Sequence, residues 1–291
     1  MSAPPLVFDR SLARARLKHA FLRGGPDFLI RRAADDLSDR LASIKRDFAR
    51  ALDLGTPTPD FARSLANGRR RVVRAGPFAT GAETLVADEE ALPFAPQSFD
   101  LVVSGLALQS VNDLPGALAQ IRRVLAPDGL FLACLVGGAS LKELRAALTQ
   151  AESEILGGVS PRVAPMVDVR DLGALLQRAG FALPVTDTDT LTLRYDSMFA
   201  LCRDLRAMGA ANALHARAPK PLRRSVFFRA AEFYAENFSD PDGRVRASLE
   251  ILWLAGWAPH ESQQKPLKPG SAQMRLADAL GRREDDERGA S

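Results

Sequence analysis

The chain has 291 residues, of which 46% are hydrophobic and 25% charged, so it is long enough for one large folded domain or two small ones. Its 39 basic and 35 acidic residues are interspersed and leave a formal net charge of +4, which does not predict a nucleic-acid groove. No apolar run reaches the roughly 18 residues that span a bilayer, and the first residues lack the apolar core of a signal peptide. We therefore expect a cytoplasmic protein.

The N-terminal residues 1–47 predict two helices. Apolar side chains recur at helical spacing on both sides of the break Gly24-Gly25-Pro26, and the first helix is rich in arginine. We expect this segment to pack on the domain that follows. Contact of the basic helix with a partner or with a membrane surface, without a transmembrane segment, is the alternative.

Strands and helices alternate from Phe48 to Tyr195, a pattern that favours a doubly wound, mostly parallel, Rossmann-like α/β sheet. The predicted strands cover residues 48–54, 72–73, 83–87, 99–104 and 129–136, and the predicted helices cover 59–66, 114–125, 140–156 and 169–179. Residues 181–195 predict two further strands joined around Asp187-Thr188-Asp189, an antiparallel hairpin at the edge of the sheet.

The remaining sequence differs in character from the alternating part. Residues 196–280 predict an accessory α+β region with helices over 198–208 and 222–238 and a strand over 245–257, and the charged residues 281–291 predict a disordered tail. The sequence thus predicts a helical segment (1–47), a Rossmann-like domain (48–195), an accessory region (196–280) and a tail.

The run Asp53-Leu-Gly55-Thr56-Pro57-Thr58-Pro59 has the outline of a nucleotide-binding loop between a strand and a helix. Only one glycine is present, and the two prolines lack the N–H groups and the positive φ angles that such a loop uses. A plain strand-turn-helix connection, with Thr58 as the N-cap and Pro59 at the first helical position, explains the same residues.

Three further features follow strands of the predicted sheet at the edge where α/β proteins bind ligands. They are Asp88-Glu89-Glu90-Ala-Leu-Pro-Phe94, then Ser104 with Gln109, Asn112 and Asp113, and Pro127-Asp128-Gly129. With the Asp-Leu-Gly loop, this ordered set resembles class I S-adenosylmethionine-dependent methyltransferases. That resemblance implies a cofactor site made by Asp53, Gly55, Thr56, Asp88, Glu89 and Ser104.

A narrower resemblance covers nearly the whole chain. The segments that carry it include Val111-Asn-Asp-Leu-Pro115, Gly157-Gly-x-Ser-Pro-Arg162, Arg178-Ala-Gly-Phe181 and His260-Glu-Ser-Gln263. They are similar to the mitochondrial complex I assembly-factor family, whose best-known member is assigned as a protein-arginine hydroxylase. The resemblance implies a protein partner, a respiratory complex I subunit, and S-adenosylmethionine as cofactor.

Substrate-side candidates are Gln109, Asn112 and Asp113, although Asp113 is better placed to cap the helix that starts at Leu114. Hydroxylation would require an oxidant, and an iron site of two histidines and a carboxylate is not visible in the sequence. The histidines, His19, His215 and His260, are far apart. Cys134 and Cys202 fit no metal spacing, so we expect no metal.

The departures from the methyltransferase pattern fall on the cofactor side. No acidic residue follows the second strand, where Gly76 stands, and the loop carries Pro57 and Pro59. We therefore expect a methyltransferase-family protein that acts on or assembles a protein partner and binds its cofactor weakly. The alternatives are a catalytically impaired scaffold and a small-molecule or carrier-protein methyl ester methyltransferase.

Overall fold

The computed structural model describes residues 6–66, 68–81 and 84–263. The helices are α1 (Arg10–Leu22), α2 (Phe28–Ala42), α3 (Asp60–Leu65), α4 (Leu114–Val124), α5 (Lys142–Leu156), α6 (Val169–Arg178), α7 (Met198–Ala207) and α8 (Arg224–Phe238). The strands are β1 (Arg50–Leu54), β2 (Arg71–Gly76), β3 (Thr84–Val86), β4 (Phe99–Gly105), β5 (Leu125–Gly137), β6 (Ala182–Tyr195) and β7 (Val245–Trp257). The predicted tail 281–291 lies outside the described residues.

The strands form one seven-stranded sheet in the order β3-β2-β1-β4-β5-β7-β6. Strands β1 to β5 are parallel, whereas β7 runs antiparallel to both β5 and β6. The expected Rossmann-like sheet with an antiparallel edge is therefore present. The strand predicted at 245–257 lies inside this sheet, so the sheet draws residues from the accessory region as well.

The prediction of two strands within residues 181–195 is wrong, because β6 is a single strand of 14 residues. Its threonines are β-branched and favour extended backbone, and no glycine or proline interrupts the Thr-Asp alternation. The acidic side chains that suggested a turn are paired instead. Arg40 of α2 lies 2.7 Å from Asp187, and Arg32 lies 2.9 Å from Asp189.

Both faces of the sheet are covered by helices, and successive buried side chains of a strand enter different cores. Leu52 packs in the core under α4 and α6, while Ala51 packs with α2 and α3 on the other face. Burial on both sides explains the continuous apolar runs of β1 and β4. A third cluster joins α5, α7 and α8 to the first half of β7. Among the described residues, no helix is long and apolar enough to cross a membrane.

The close packing of β4 on α3 generates a stability prediction. A Cβ atom on Gly105 would lie 2.5 Å from Cζ of the fully buried Phe61. Gly105→Ala should lower the free energy of unfolding by about 1–3 kcal/mol, since a packed ring has little room to shift. Gly158→Ala is the matched control, because its Cβ would meet no atom within 4 Å. Equal midpoints for the two variants in urea unfolding would contradict this packing argument.

Candidate cofactor cleft at the carboxyl edge of the sheet

Gly55 lies at the point where the segments after β1, β3 and β4 meet. Its φ angle is +74°, and its N–H donates to the carbonyl of Ala75 at 2.7 Å. A Cβ atom here would lie 2.8 Å from Cβ of Ala107 and 3.3 Å from Oε1 of Glu89. Both the positive φ and this close approach require glycine.

Asp53 lies beneath the loop that follows β1. Burial raises the pKa of its carboxyl group to about 6, although the Thr56 hydroxyl and the Arg74 charge oppose part of that rise. Nε of Arg74 lies 3.2 Å from Oδ2 of Asp53. Asp53 therefore contacts Thr56 of the loop, and the arginine that binds the loop, from the buried side.

Arg74 also fixes the shape of the loop. Its guanidinium donates to the carbonyl oxygens of Thr56 and Thr58, at 3.3 and 2.8 Å. The loop thus presents two carbonyls to an arginine, while its two prolines have no N–H to offer a ligand. An arginine between Val73 and Ala75 in β2 was the sequence signal for this role, but it does not reveal the partners.

The other predicted residues of this loop have structural partners as well. Oγ1 of Thr56 accepts a hydrogen bond from the N–H of Gly105 at 3.0 Å, which joins the loop to β4. The prediction that Thr58 caps α3 is wrong: Pro59 is the N-cap residue, and the Thr58 hydroxyl donates to Asp60 at 2.5 Å. Ser104 is fully buried, and its hydroxyl has no hydrogen-bond partner among the described residues.

The acidic turn after β3 faces the N-terminal helix. The Arg10 guanidinium lies 2.7 Å from Asp88, 2.5 Å from Glu89 and 2.6 Å from Glu90. Arg14, one turn further along α1, lies 2.8 Å from Asp88 and 3.1 Å from Glu89. Two guanidinium groups thus hold three carboxylates at the cleft.

These contacts determine the protonation of Asp88. Partial burial alone would raise the pKa of its carboxyl group, but the N–H of Glu90 and the two arginines outweigh burial and lower the pKa. Asp88 is therefore ionised at neutral pH. Its side chain retains 36% exposure at the edge of the cleft.

Asn112 and Asp113 hold the backbone near the cleft. Oδ1 of Asn112 accepts from the N–H groups of Val7 and Phe8, at 3.0 and 2.8 Å, and its Nδ2 donates to the carbonyl of Phe8. Oδ1 of Asp113 accepts from the N–H of Gly116 at 2.8 Å and so caps α4. Both side chains therefore have structural partners.

Gln109 lines a pocket of about 220 Å³ beside the cleft, together with Val7, Phe8 and Met166. Nε2 of Gln109 donates to the carbonyl of Leu106 at 2.7 Å. Of the three predicted substrate-side residues, Gln109 is the one that lines this pocket. The structure thus brings Gly55 and the acidic turn of Asp88 and Glu89 together at the carboxyl edge of the sheet, and Gln109 lines the separate 220 Å³ pocket.

No group of three or more histidine, cysteine, aspartate or glutamate side chains in the described part of the chain is arranged to hold a metal ion. Cys134 lies in the core, where burial raises the pKa of its thiol to about 12. This cysteine is a packing residue.

A methyltransferase-domain family model matches residues 51–133. The protein named arginine-hydroxylase NDUFAF5, mitochondrial, from Danio rerio is 38% identical over 301 residues, which cover 97% of this chain and 92% of the relative. The chain belongs to the NDUFAF5 family. The human protein of the same name is 40% identical, over 91% of this chain and 81% of its own length.

A methyltransferase of another name also matches. The malonyl-[acyl-carrier protein] O-methyltransferase of Halorhodospira halophila is 33% identical over 84% of this chain and 86% of its own length. Its match is lower in identity and shorter than that of the Danio rerio protein. The resemblance to the assembly-factor family, drawn from the sequence motifs, is confirmed.

Solved structures share the fold at low sequence identity. YcgJ from Bacillus subtilis has a TM-score of 0.54 at 14% identity, over 79% of this chain and 99% of its own. A candidate methyltransferase, BH2331 from Bacillus halodurans C-125, has a TM-score of 0.52 at 17% identity, over 77% and 98% of the two chains. The predicted class I methyltransferase fold is confirmed.

The expected cytoplasmic location is wrong. The NDUFAF5 relatives that share almost the whole chain are named as mitochondrial proteins. Composition and the absence of long apolar runs report on folding and membrane insertion, whereas receptors read the signals that direct a protein to a compartment. The composition therefore had no bearing on this question.

The raised pKa of Asp53 generates a prediction on stability and pH. The folded state holds this proton up to about pH 6, whereas an unperturbed aspartate loses it near 3.8. In this window the folded state binds more protons, so the free energy of unfolding should fall as pH rises. The fall has an upper bound of about 3 kcal/mol, since a tenfold change in proton affinity is about 1.4 kcal/mol.

Asp53→Asn isolates this contribution from those of other titrating groups. The difference in unfolding free energy between wild type and variant should favour wild type more at pH 4 than at pH 7. Urea unfolding at several pH values measures it. A difference that stays constant with pH would mean that Asp53 does not titrate in this window.

Proposed function

We propose that this chain acts on an arginine side chain of a partner protein and that S-adenosylmethionine is the ligand of its cleft. The observation that carries the proposal is the extent of the match to the named arginine hydroxylases, which covers 97% of the chain and so includes regions far from any cofactor contact. By the family resemblance, the partner is a respiratory complex I subunit. The proposal makes the protein an enzyme.

The geometry supports a protein partner through the connection between the cleft and the accessory region. The N–H of Asp9 donates to the carbonyl of Ala213, and the N–H of His215 donates to the carbonyl of Val7, each at 2.9 Å. Arg217 pairs with Asp9 at 3.0 Å. A protein that contacts residues 209–217 would thus bind residues that hold the N-terminal segment in place.

The residues of the cleft fit a nucleoside in part. Gly55 places backbone without a Cβ close to Glu89, and Asp88 is an ionised carboxylate that could accept from an adenine amino group once Arg10 and Arg14 release it. The carboxylate that usually binds the ribose is absent from the end of β2, which ends in Gly76. When bound, S-adenosylmethionine would supply an electrophilic methyl group for transfer to a nucleophile, whereas hydroxylation of an arginine would need an oxidant as a separate co-substrate. Gly55 and Asp88 would orient the nucleoside part of the cofactor.

Two other functions have specific support. The match to a malonyl-[acyl-carrier protein] O-methyltransferase favours a carrier-protein ester as substrate. The arginines that hold Asp88 and Glu89 favour a scaffold without productive cofactor binding. Cofactor binding separates an enzyme from a scaffold, and the captured partner separates the two substrates.

Removal of the Asp88 charge should weaken cofactor binding. We expect wild type to bind S-adenosylmethionine with a dissociation constant weaker than low micromolar, because the loop offers few N–H donors. Asp88→Asn should weaken it further by roughly tenfold, the value of one charge-assisted hydrogen bond. Isothermal titration calorimetry measures both constants.

Asp171→Asn is the control, since this exposed acid lies on α6. A dissociation constant for wild type in the low micromolar range or below would contradict the prediction that the loop binds the cofactor weakly. Equal dissociation constants for wild type and Asp88→Asn would show that Asp88 does not contact the cofactor.

Partner capture should depend on the surface of the accessory region. Affinity capture from the native host should recover a complex I subunit with wild type and less of it with Arg206→Ala or His260→Ala, both exposed residues. Arg31→Ala is the control, because Arg31 is 68% exposed on α2. Quantitative mass spectrometry measures recovery, and circular dichroism with thermal melting checks the fold. Recovery of acyl-carrier protein alone would favour the ester methyltransferase.

A further inference from the structure

The helix α1 is held on the protein mainly by polar contacts. Ala20 is the most buried residue of α1, at 8% exposure, and the ring of Phe21 packs 6.2 Å from that of Phe78, so the helix has little apolar burial to fix it. Five ion pairs join its Arg10 and Arg14 to the acidic turn after β3. These pairs lie at the cofactor cleft itself.

Burial makes the Arg10 contacts more than a surface feature. The Arg10 side chain is 14% exposed and that of Glu89 is 6% exposed, so water and salt screen this pair weakly. Arg10 pairs with Oε2 of Glu89, and Oε1 of the same carboxylate lies beside Gly55. A guanidinium is thus fixed next to the glycine that a nucleoside must approach.

We propose that Arg10 and Arg14 form an autoinhibitory plug, in which the two guanidinium groups occupy the carboxylates of Asp88 and Glu89 that a nucleoside ligand would use. The inference rests on the proposed function, in which S-adenosylmethionine binds this cleft. The carboxylate oxygens of Asp88 and Glu89 accept charge-assisted hydrogen bonds from the two arginines at 2.5 to 2.8 Å. An adenine or ribose group could not donate to the same oxygen from the side that the guanidinium occupies. Ligand binding and the plug therefore compete.

The helix α1 has attachments besides those of Arg10 and Arg14, so these two side chains can leave the acidic turn while the helix stays in place. Arg16 donates to the carbonyls of Ala211 and Asn212, and the backbone of Gly209 approaches that of Leu17 so closely that a Cβ atom would lie 2.9 Å from its Cα. Opening of the plug thus requires rotation of two long side chains. A partner bound at residues 209–217 would act on the same helix.

The test is calorimetric titration with S-adenosylhomocysteine, whose amino-acid part is zwitterionic, so that a change in protein charge has little long-range effect on binding. Arg10→Gln and Arg14→Gln each remove one guanidinium and keep a polar side chain. Arg23→Gln is the matched control, because it removes the same charge from the exposed C-terminal end of α1. Circular dichroism and thermal melting check that each variant is folded.

We expect Arg10→Gln to bind the ligand roughly tenfold tighter than wild type, because one charge-assisted competitor is gone. Arg14→Gln should show a smaller gain in the same direction, and Arg23→Gln should match wild type. Arg14 is 31% exposed, so its replacement keeps the test valid if the Arg10 variant does not fold.

Three outcomes would overturn the plug. Equal or weaker binding by both variants would show that the arginines do not compete with the ligand, while the cleft would remain a nucleoside site. An equal gain in ligand affinity for Arg23→Gln would show that the change in net charge, and not the loss of a competing guanidinium, causes the effect. Absence of binding by wild type and every folded variant would overturn the plug together with the cofactor part of the proposed function.

Discussion

The close approach of three chain segments at Gly55 is the constraint on which the cleft depends. The N–H of this glycine is bonded to β2, its α-carbon faces Ala107 after β4, and Glu89 reaches it from the turn after β3. Any side chain here would separate segments that the parallel sheet brings to one edge. The sheet therefore determines which loops meet, and one residue without a Cβ determines how closely they meet.

Two ion-pair systems hold the segments near this point. Arg74 and Asp53 are paired within the fold, and Arg10 is paired with the acidic turn at its surface. Buried pairs of this kind add little net stability, because desolvation offsets the attraction, but they fix one arrangement, since an unpaired charge is costly. The inner pair holds the loop in one shape, and the outer pairs hold the N-terminal helix over the cleft.

The sequence was sufficient for the fold and for part of the cleft. Alternating apolar runs predicted the parallel strands, and Gly55 and Glu89 meet as the strand order implies. The predicted turn within β6 failed, and the roles of two arginines were missed, because they depend on residues far away along the chain. The aspartates of β6 indicated a turn in the sequence, but in the fold they are paired with arginines of α2. The roles of Arg74 and Arg10 depend on acidic residues that lie 21 and 78 residues away along the chain. Local patterns do not encode such pairs.

The position of β7 has a consequence for how the chain folds. Its residues 245–257 lie between β5 and β6, and Cys134 is paired with Trp253, almost 120 residues later. During synthesis, β5 and β6 must therefore wait with unpaired edges until the end of the sheet leaves the ribosome, and such edges can pair with other chains. Long-range pairing of this kind also slows folding. The strand that is made last thus determines when the edges of β5 and β6 are covered.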